Sequence, residues 1–259
     1  MRIIRNVILM VLSSWFIFAC NDNKKNKEEV KDSLSINKDS INKVSLIESK
    51  SNVLTEEENK EGFKILFNGS DLKGWHCYLK DSISGWKVEN GILFGPGKTG
   101  ADLVSNDDYE NFELRFDWKI SAKGNSGLIY KVIEDKKFKK TYETGPEYQL
   151  IDDENYPAKL KDVQKSGANY DMAAPLKKAV KPAGEWNEGK IIVNQNHIEH
   201  WLNGVKVVDY IYGNDDWKKA VAKSKFSKFE YANAHLKGKL AVQDHRDEVY
   251  LKNIRIKTL

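Results

Sequence analysis

From Phe63 onward, apolar and polar positions alternate along the chain with the period of two that is typical of a half-buried strand. The pattern is clearest over 112–119, where large apolar side chains occupy every second position and charged ones lie between them. Short runs of this kind predict strands at 63–67, 86–88, 92–94, 112–119, 127–132, 148–151, 190–193, 197–202, 205–210, 240–243 and 248–257. Asn90-Gly91 and Asn203-Gly204 indicate tight hairpin turns, because Asn-Gly adopts positive φ at low cost.

One segment has helical spacing instead. Asn214 is a suitable N-cap, the acidic residues that follow it suit the first turn, and the lysines near 223–228 suit the end of a helix. Many short strands and one peripheral helix, without internal repeats, predict an all-β fold for residues 62–259. We expect a two-sheet antiparallel sandwich of the jelly-roll type.

The first 61 residues have a different character. Arg2 and Arg5 precede a short apolar run, and Ile17-Phe18-Ala19-Cys20 resembles a bacterial lipobox. The sequence therefore predicts a signal peptide at 1–19 and a lipidated Cys20. A lipidated cysteine anchors an exported protein in the bacterial envelope, in the periplasm or at the cell surface, with no spanning helix.

Residues 20–61 are rich in Asn, Lys, Glu and Ser, with only scattered apolar side chains. Such a segment buries too little apolar surface to offset the entropy of ordering, so we expect a flexible linker.

Composition narrows the choice of function. The 42 basic and 38 acidic side chains nearly balance, which argues against nucleic acid as the main partner. Two cysteines cannot form a disulfide framework or a four-cysteine zinc site. The sequence contains neither the Gly-x-Ser-x-Gly nor the His-Glu-x-x-His motif.

Two predicted strands carry polar pairs that suit the binding of sugar hydroxyls. Glu147 and Gln149 point to the same side of one strand, and Glu147 could transfer a proton. Gln243 and His245 are also two residues apart, and histidine titrates near neutral pH. The first pair could equally belong to an ordinary solvated strand face, and His245 could equally be a structural histidine.

Further candidates lie in turns and at strand ends. Asn125 and Lys131 belong to a glycine-rich bend and the strand that follows it, where Lys131 could contact a substrate oxygen. Asp152 belongs to an acidic cluster that either caps a loop or binds a cation. Trp186 lies outside the regular alternation and is our candidate for an exposed ring that stacks on a sugar.

Taken in order, these segments resemble the 3-keto-disaccharide hydrolase family over essentially all of 63–259. The matching stretches are FNGSDLKGW (67–75), GNSGLIYK (124–131), GPEYQLIDD (145–153), KPAGEWN (181–187), HWLNGVKVV (200–208) and LAVQDHRDEVYLKNIRIK (240–257). The resemblance implies a fold like that of concanavalin A-type lectins and glucanases, and a carbohydrate substrate. In two places the chain departs from the family pattern: Tyr156-Pro157 replaces a frequent His-Pro, and Lys131 stands where Arg is common.

The resemblance also implies a reaction. A sugar oxidised at C3 has an acidic hydrogen on C2; a base removes it, the enolate expels the oxygen at C1, and water then adds. On this basis Glu147, His245 and Lys131 are the catalytic candidates, with either Glu147 or His245 as the base. Asn125, Gln149, Asp152, Trp186 and Gln243 are the substrate-binding candidates. No cofactor is evident, although a divalent cation held by Glu147 and His245 could share the charge of the enolate.

Two other functions remain open. A conventional sandwich-fold glycosidase needs a second carboxylate close to the first, whereas the residue two positions after Glu147 is Gln149. A non-catalytic carbohydrate-binding lipoprotein would use the same surface without turnover.

Overall fold

Two antiparallel sheets pack against each other in the computed structural model, which describes residues 51–259. One sheet has eight strands, in the order β11-β10-β9-β6-β13-β4-β3 with β1 paired to β13; the other has five, in the order β2-β5-β12-β7-β8. The strands are β1 (Lys64–Ile65), β2 (Trp75–Cys77), β3 (Lys87–Glu89), β4 (Ile92–Gly95), β5 (Leu103–Tyr109), β6 (Phe112–Ile120), β7 (Asn125–Val132), β8 (Glu147–Ile151), β9 (Asn187–Asn194), β10 (His197–Leu202), β11 (Val205–Ile211), β12 (Gly238–Val242) and β13 (Val249–Thr258). The predicted all-β jelly-roll sandwich is confirmed.

The core lies between the sheets and is formed by the inward-facing positions of both. Phe116 on β6 meets Tyr148 on β8 edge to face, with ring centroids 5.4 Å apart. The next inward position of β8, Leu150, is also buried. Aromatic contacts between the sheets add to the hydrophobic effect by favouring one packing arrangement.

The alternation pattern located most strands but missed two. Strand β2 has only three residues, and β5 ends in the polar run 106–108, which is exposed. The predicted helix is present as α2 (Asp215–Lys223); the Asn214 side chain accepts a hydrogen bond from the Trp217 N–H and so caps its first turn. No helix within residues 51–259 is long and apolar enough to cross a bilayer.

The end of the expected linker is ordered. Residues Glu56–Glu61 form a short helix, α1, with Thr55 and Glu58 in a reciprocal capping box. Glu58 is buried, and it accepts hydrogen bonds from Arg115 at 3.2 Å and from Arg255. The flexible-linker prediction is therefore wrong for 51–61, because these polar side chains find partners on the sheet. The signal peptide, Cys20 and the linker up to residue 50 lie outside the described residues.

Candidate active site

The outer face of the five-stranded sheet brings the predicted polar residues of β7 and β8 together. In the antiparallel pairing Ile129 lies opposite Glu147, and Gly127 lies opposite Gln149. Tyr148 between them points into the core, so Glu147 and Gln149 share the outer face as expected.

Gly127 provides the space that Glu147 occupies. A Cβ atom at Gly127 would lie 2.2 Å from Glu147 Oε1, well inside any allowed contact. The missing side chain therefore lets the carboxyl group of one strand lie across the backbone of the next.

A row of polar contacts runs from Glu147 toward the end of β12. With its amide nitrogen toward Glu147, Gln149 donates to Glu147 Oε1 and to the Ser126 carbonyl, each at 3.1 Å. The other end of the Gln149 amide lies 3.2 Å from Asn125 Oδ1, and Asn125 Nδ2 lies 3.3 Å from His245 Nε2. Amide orientations follow from hydrogen-bond partners, so both amides can turn to give a continuous donor–acceptor row.

The environment of Glu147 favours its neutral form. Glu147 is only 5% exposed, and burial raises its pKa from an ordinary 4.5 to about 8; Lys225 lowers the pKa and Asp102 raises it. A carboxyl group titrating this close to neutral pH is suited to proton transfer in either direction.

Segments from outside the sheet cover Glu147. Lys225 Nζ lies 4.3 Å from the ring centre of Tyr170 and 5.2 Å from that of Tyr142, and the Tyr170 N–H donates to the Glu147 carbonyl. Sequence analysis missed Tyr142 and Tyr170 and gave Lys225 only a place near a helix end. These residues lie in irregular segments or 3₁₀ turns, where no periodicity marks a shared site.

Gln243 and Asp102 continue the outer face across the sheet. Val242 pairs with Leu103, and both are buried on the inner side, so the neighbouring Gln243 and Asp102 lie outward. The Gln243 N–H donates to the carbonyl of Gly127 at 2.9 Å. Gln243 thus shares the outer face with Glu147, and its binding role stays a prediction; Asp102 was missed by the sequence analysis.

His245 lies at the open end of the row. Its side chain is 44% exposed, and Nδ1 is 3.7 Å from Asp247 Oδ2. An exposed imidazole beside a carboxylate can carry a proton to or from a group that binds next to it.

Lys131 does not lie with Glu147, contrary to prediction. Between Ile129 and Val132, strand β7 has one residue more than its partner β12, which forms a β-bulge, and Lys131 has φ of +58°. The bulge turns Lys131 inward, where Nζ donates to the Leu236 carbonyl and lies 5.6 Å from the ring centre of Tyr212. Burial lowers the pKa of Lys131 to about 8.

Two predicted binding residues also have other roles. The carboxylate of Asp152 is occupied by backbone N–H groups of Lys123, Glu154 and Asn155, so it caps a turn. Trp186 lies against the eight-stranded sheet, with Lys252 Nζ 4.4 Å from its ring centre. Neither side chain contacts the Glu147 row.

The row separates the two residues that the sequence analysis named as possible ligands of a divalent cation. Asn125 and Gln149 lie between Glu147 and His245. Within residues 51–259, the one trio of His, Cys, Asp or Glu with ligand atoms close enough to share an ion is His197, Glu199 and Asp209, and Lys206 already bridges its two carboxylates.

A family model described as a 3-keto-alpha-glucoside-1,2-lyase-like domain matches residues 62–257. The chain is 35% identical over 229 residues to a 3-keto-disaccharide hydrolase of Bacteroides thetaiotaomicron, an alignment that covers 77% of this chain and 79% of that protein.

Two solved structures are also similar to this chain. A Parabacteroides distasonis protein, described only provisionally as a glycosyl hydrolase, is 46% identical with a TM-score of 0.77, over 81% of this chain and all of that one. A second protein of that organism with the same provisional description is 26% identical, with a TM-score of 0.60, over 76% of this chain and 99% of that one.

Proposed function

This chain belongs to the family of 3-keto-alpha-glucoside-1,2-lyase-like domains, and from that premise we propose that it cleaves glycosides whose sugar carries a ketone at C3. The reaction proceeds by removal of the C2 proton, elimination of the C1 oxygen and addition of water. The buried carboxyl of Glu147, with a pKa raised to about 8, is the observation that carries the proposal.

The ketone determines what the protein must supply. It acidifies the hydrogen on C2 and stores the resulting charge as an enolate, so the active site needs a base and hydrogen-bond donors. The Gln149 amide contacts Glu147 directly, the Gln243 amide lies on the same face, and the ammonium of Lys225 acts on the charge of Glu147, so these three groups are the proposed donors.

Glu147 serves as the base in this proposal. Its raised pKa makes its carboxylate a stronger base than an exposed one, at the cost of a smaller charged fraction at neutral pH. For a substrate whose leaving group needs no proton, kcat/KM should therefore rise by about tenfold per pH unit below pH 8 and level off above it.

His245 supplies the proton to the departing oxygen. It lies at the exposed end of the row, and the Asp247 carboxylate 3.7 Å from Nδ1 can orient its ring. This role matters only when the leaving group needs a proton. The roles of Glu147 and His245 can therefore be distinguished with substrates that differ in the leaving group.

The test compares four substrates: a 3-keto disaccharide, a 3-keto nitrophenyl glucoside and the unoxidised parent of each. The native enzyme should cleave only the keto forms. Glu147→Gln should slow both keto substrates about 100- to 10,000-fold, the range of a lost acid–base catalyst. His245→Ala should slow the disaccharide but spare the nitrophenyl glucoside, since nitrophenolate leaves without a proton.

Other outcomes would contradict the proposal. Cleavage of keto and parent forms alike would indicate a conventional glycosidase, and binding without turnover would indicate a carbohydrate-binding protein. Full activity of Glu147→Gln would show that Glu147 is not the base.

The cellular location in this proposal is the bacterial envelope, through lipid on Cys20. The support is the sequence of residues 1–20. After fractionation of expressing cells the native protein should be found with membranes, whereas Cys20→Ala should be released by washing. Equal partitioning of both would contradict the lipid anchor.

A further inference from the structure

A cleft rich in basic side chains opens on the outer face of the five-stranded sheet. Its volume is about 550 Å³. The basic residues that line it are Lys80, Lys98, Lys139, Lys140 and Arg246. All five are exposed, so their charges act on whatever enters the cleft.

The two carboxylates in the cleft wall do not neutralise these charges by direct pairing, because internal donors occupy them. Asp102 accepts hydrogen bonds from the Thr141 hydroxyl at 2.5 Å and the Asp244 N–H at 2.9 Å. Asp244 accepts from the Thr99 hydroxyl at 2.8 Å and from the N–H groups of Lys98, Gly100 and Arg246.

None of the five cations forms an ion pair with another described residue in 51–259. Elsewhere in the same part of the chain, basic residues such as Arg115 and Lys206 each contact carboxylates. The cleft therefore concentrates positive charge that no ion pair within residues 51–259 neutralises, which is the arrangement expected of an anion-binding site.

The cleft adjoins the end of the Glu147 row along the chain. His245, the last residue of the row, lies in the sequence between the cleft residues Asp244 and Arg246. Asp102 on the edge of β5 and Gln149 on β8 are three strands apart, or about 14 Å at the usual strand spacing. That distance is on the order of two to three sugar units.

We propose that this cleft binds an anionic group, a carboxylate or a sulfate ester, on the leaving-group side of the substrate. The preferred substrates are then acidic glycosides, with the keto sugar at Glu147 and the charged unit among the lysines. This placement rests on the proposed function, whereas the anion site itself does not.

A membrane surface carries the same negative charge but suits the site less well. The cations line a concave cleft that shares a face with Glu147, and a flat bilayer cannot enter such a cleft. A soluble sugar acid can reach both places at once.

The test measures binding by calorimetry, with a neutral disaccharide and the same disaccharide oxidised to a uronic acid at C6. The native protein should bind the acid more tightly, and added salt should reduce the difference. Lys139→Gln/Lys140→Gln should weaken binding of the acid roughly three- to tenfold and leave the neutral sugar unchanged. Lys119→Gln/Lys252→Gln, which removes the same charge beside Trp186 on the other sheet, is the matched control.

Equal affinity for the two sugars, or equal loss in both double variants, would overturn the proposal. Sedimentation with phosphatidylglycerol vesicles that depends on Lys139 and Lys140 would overturn the assignment to a sugar. Because neither disaccharide is oxidised at C3, the assay involves no turnover. A negative result in this binding assay would not contradict the proposed cleavage reaction. A negative result in the cleavage assay would not contradict the anion-binding site.

Discussion

At the scale of single residues, the burial of the Glu147 carboxyl group lowers the stability of the folded protein. A carboxyl group loses its hydration on burial, and within residues 51–259 the opposite charge that lowers the pKa of Glu147 is the exposed Lys225. The fold therefore stabilises the neutral acid and destabilises the carboxylate. Catalytic groups commonly carry such a cost, because the same desolvation makes them reactive.

This cost predicts a pH dependence of stability. Between pH 4.5 and about 8 the folded protein holds a proton on Glu147 that the unfolded chain has released, so this residue lowers the unfolding free energy as pH rises. Glu147→Gln cannot titrate, and its stability relative to the native protein should increase by about 4 kcal/mol across that window. Denaturant unfolding at several pH values measures this; parallel curves for the two proteins would contradict it.

Gly127→Ala tests the space beside Glu147. The added methyl group would lie 2.2 Å from Glu147 Oε1, so the carboxyl must move away from the row. Catalytic rate should fall at least about tenfold, since a displacement near 1 Å is costly in an active site.

Gly189→Ala is the matched control for this change. Its Cβ would meet the Phe116 ring at 2.4 Å in the other sheet, which should reduce stability through the core. If Gly127→Ala lost stability but kept the native rate, Glu147 would not depend on this space.

At the scale of elements, the parts that sequence predicts are those with local causes. The helix α2 follows from its cap and the strand 112–120 from its alternation. The position of Lys131 depends instead on a bulge created by pairing with β12, more than 100 residues away. Simple alternation places Lys131 beside Glu147, and one extra residue in the strand reverses its direction.

The candidate site was predictable only in part for the same reason. Glu147 and Gln149 share a face because they are two residues apart, a local property. The covering residues Tyr170 and Lys225 approach Glu147 through tertiary packing of irregular segments, which no spacing encodes.

The segment 51–61 gives a prediction about an element. Asn52 exchanges two backbone-to-side-chain hydrogen bonds with Asn253 on β13, and Glu58 contacts Arg115 and Arg255. A chain of residues 62–259 should therefore be less stable than one of residues 51–259. Glu58→Ala alone should cost about 1–3 kcal/mol, because it leaves two partly buried guanidinium groups without this carboxylate.

The control for this prediction is Glu57→Ala, on the exposed side of the same helix. Chemical denaturation of all four proteins measures the effect. Equal stability of the long and short chains would show that α1 rests on the sheet without supporting it.

At the scale of the whole molecule, the two sheets have different chemical characters. The outer face of the five-stranded sheet carries Glu147, its polar row and the basic cleft. The outer face of the eight-stranded sheet carries paired charges, among them Arg115 with Glu113. A sandwich can separate a site from a stabilising surface in this way because its core isolates the two outer faces.

The contact between His200 and Tyr130 links the two sheets through the core. His200 on β10 donates from Nδ1 to the Gly167 carbonyl at 3.0 Å, so Nε2 accepts from the Tyr130 hydroxyl on β7 at 2.9 Å. This arrangement requires a neutral imidazole, and burial lowers the pKa of His200 to about 4.

The link between the sheets should therefore weaken in acid. Between pH 6.5 and 4 the unfolded chain binds a proton at His200 that the folded protein does not, so the unfolding free energy falls as pH falls through this window. The loss amounts to about 3 kcal/mol, at roughly 1.4 kcal/mol per pH unit. His200→Gln should be less stable at neutral pH but should lose less stability in acid, and His200→Asn is a second, smaller replacement.

Because Glu147 produces the opposite slope between pH 4.5 and 8, the comparison must be made between variant and native protein at each pH. A native protein whose stability falls no faster than that of both variants would show that His200 is not the group through which acid loosens the two sheets.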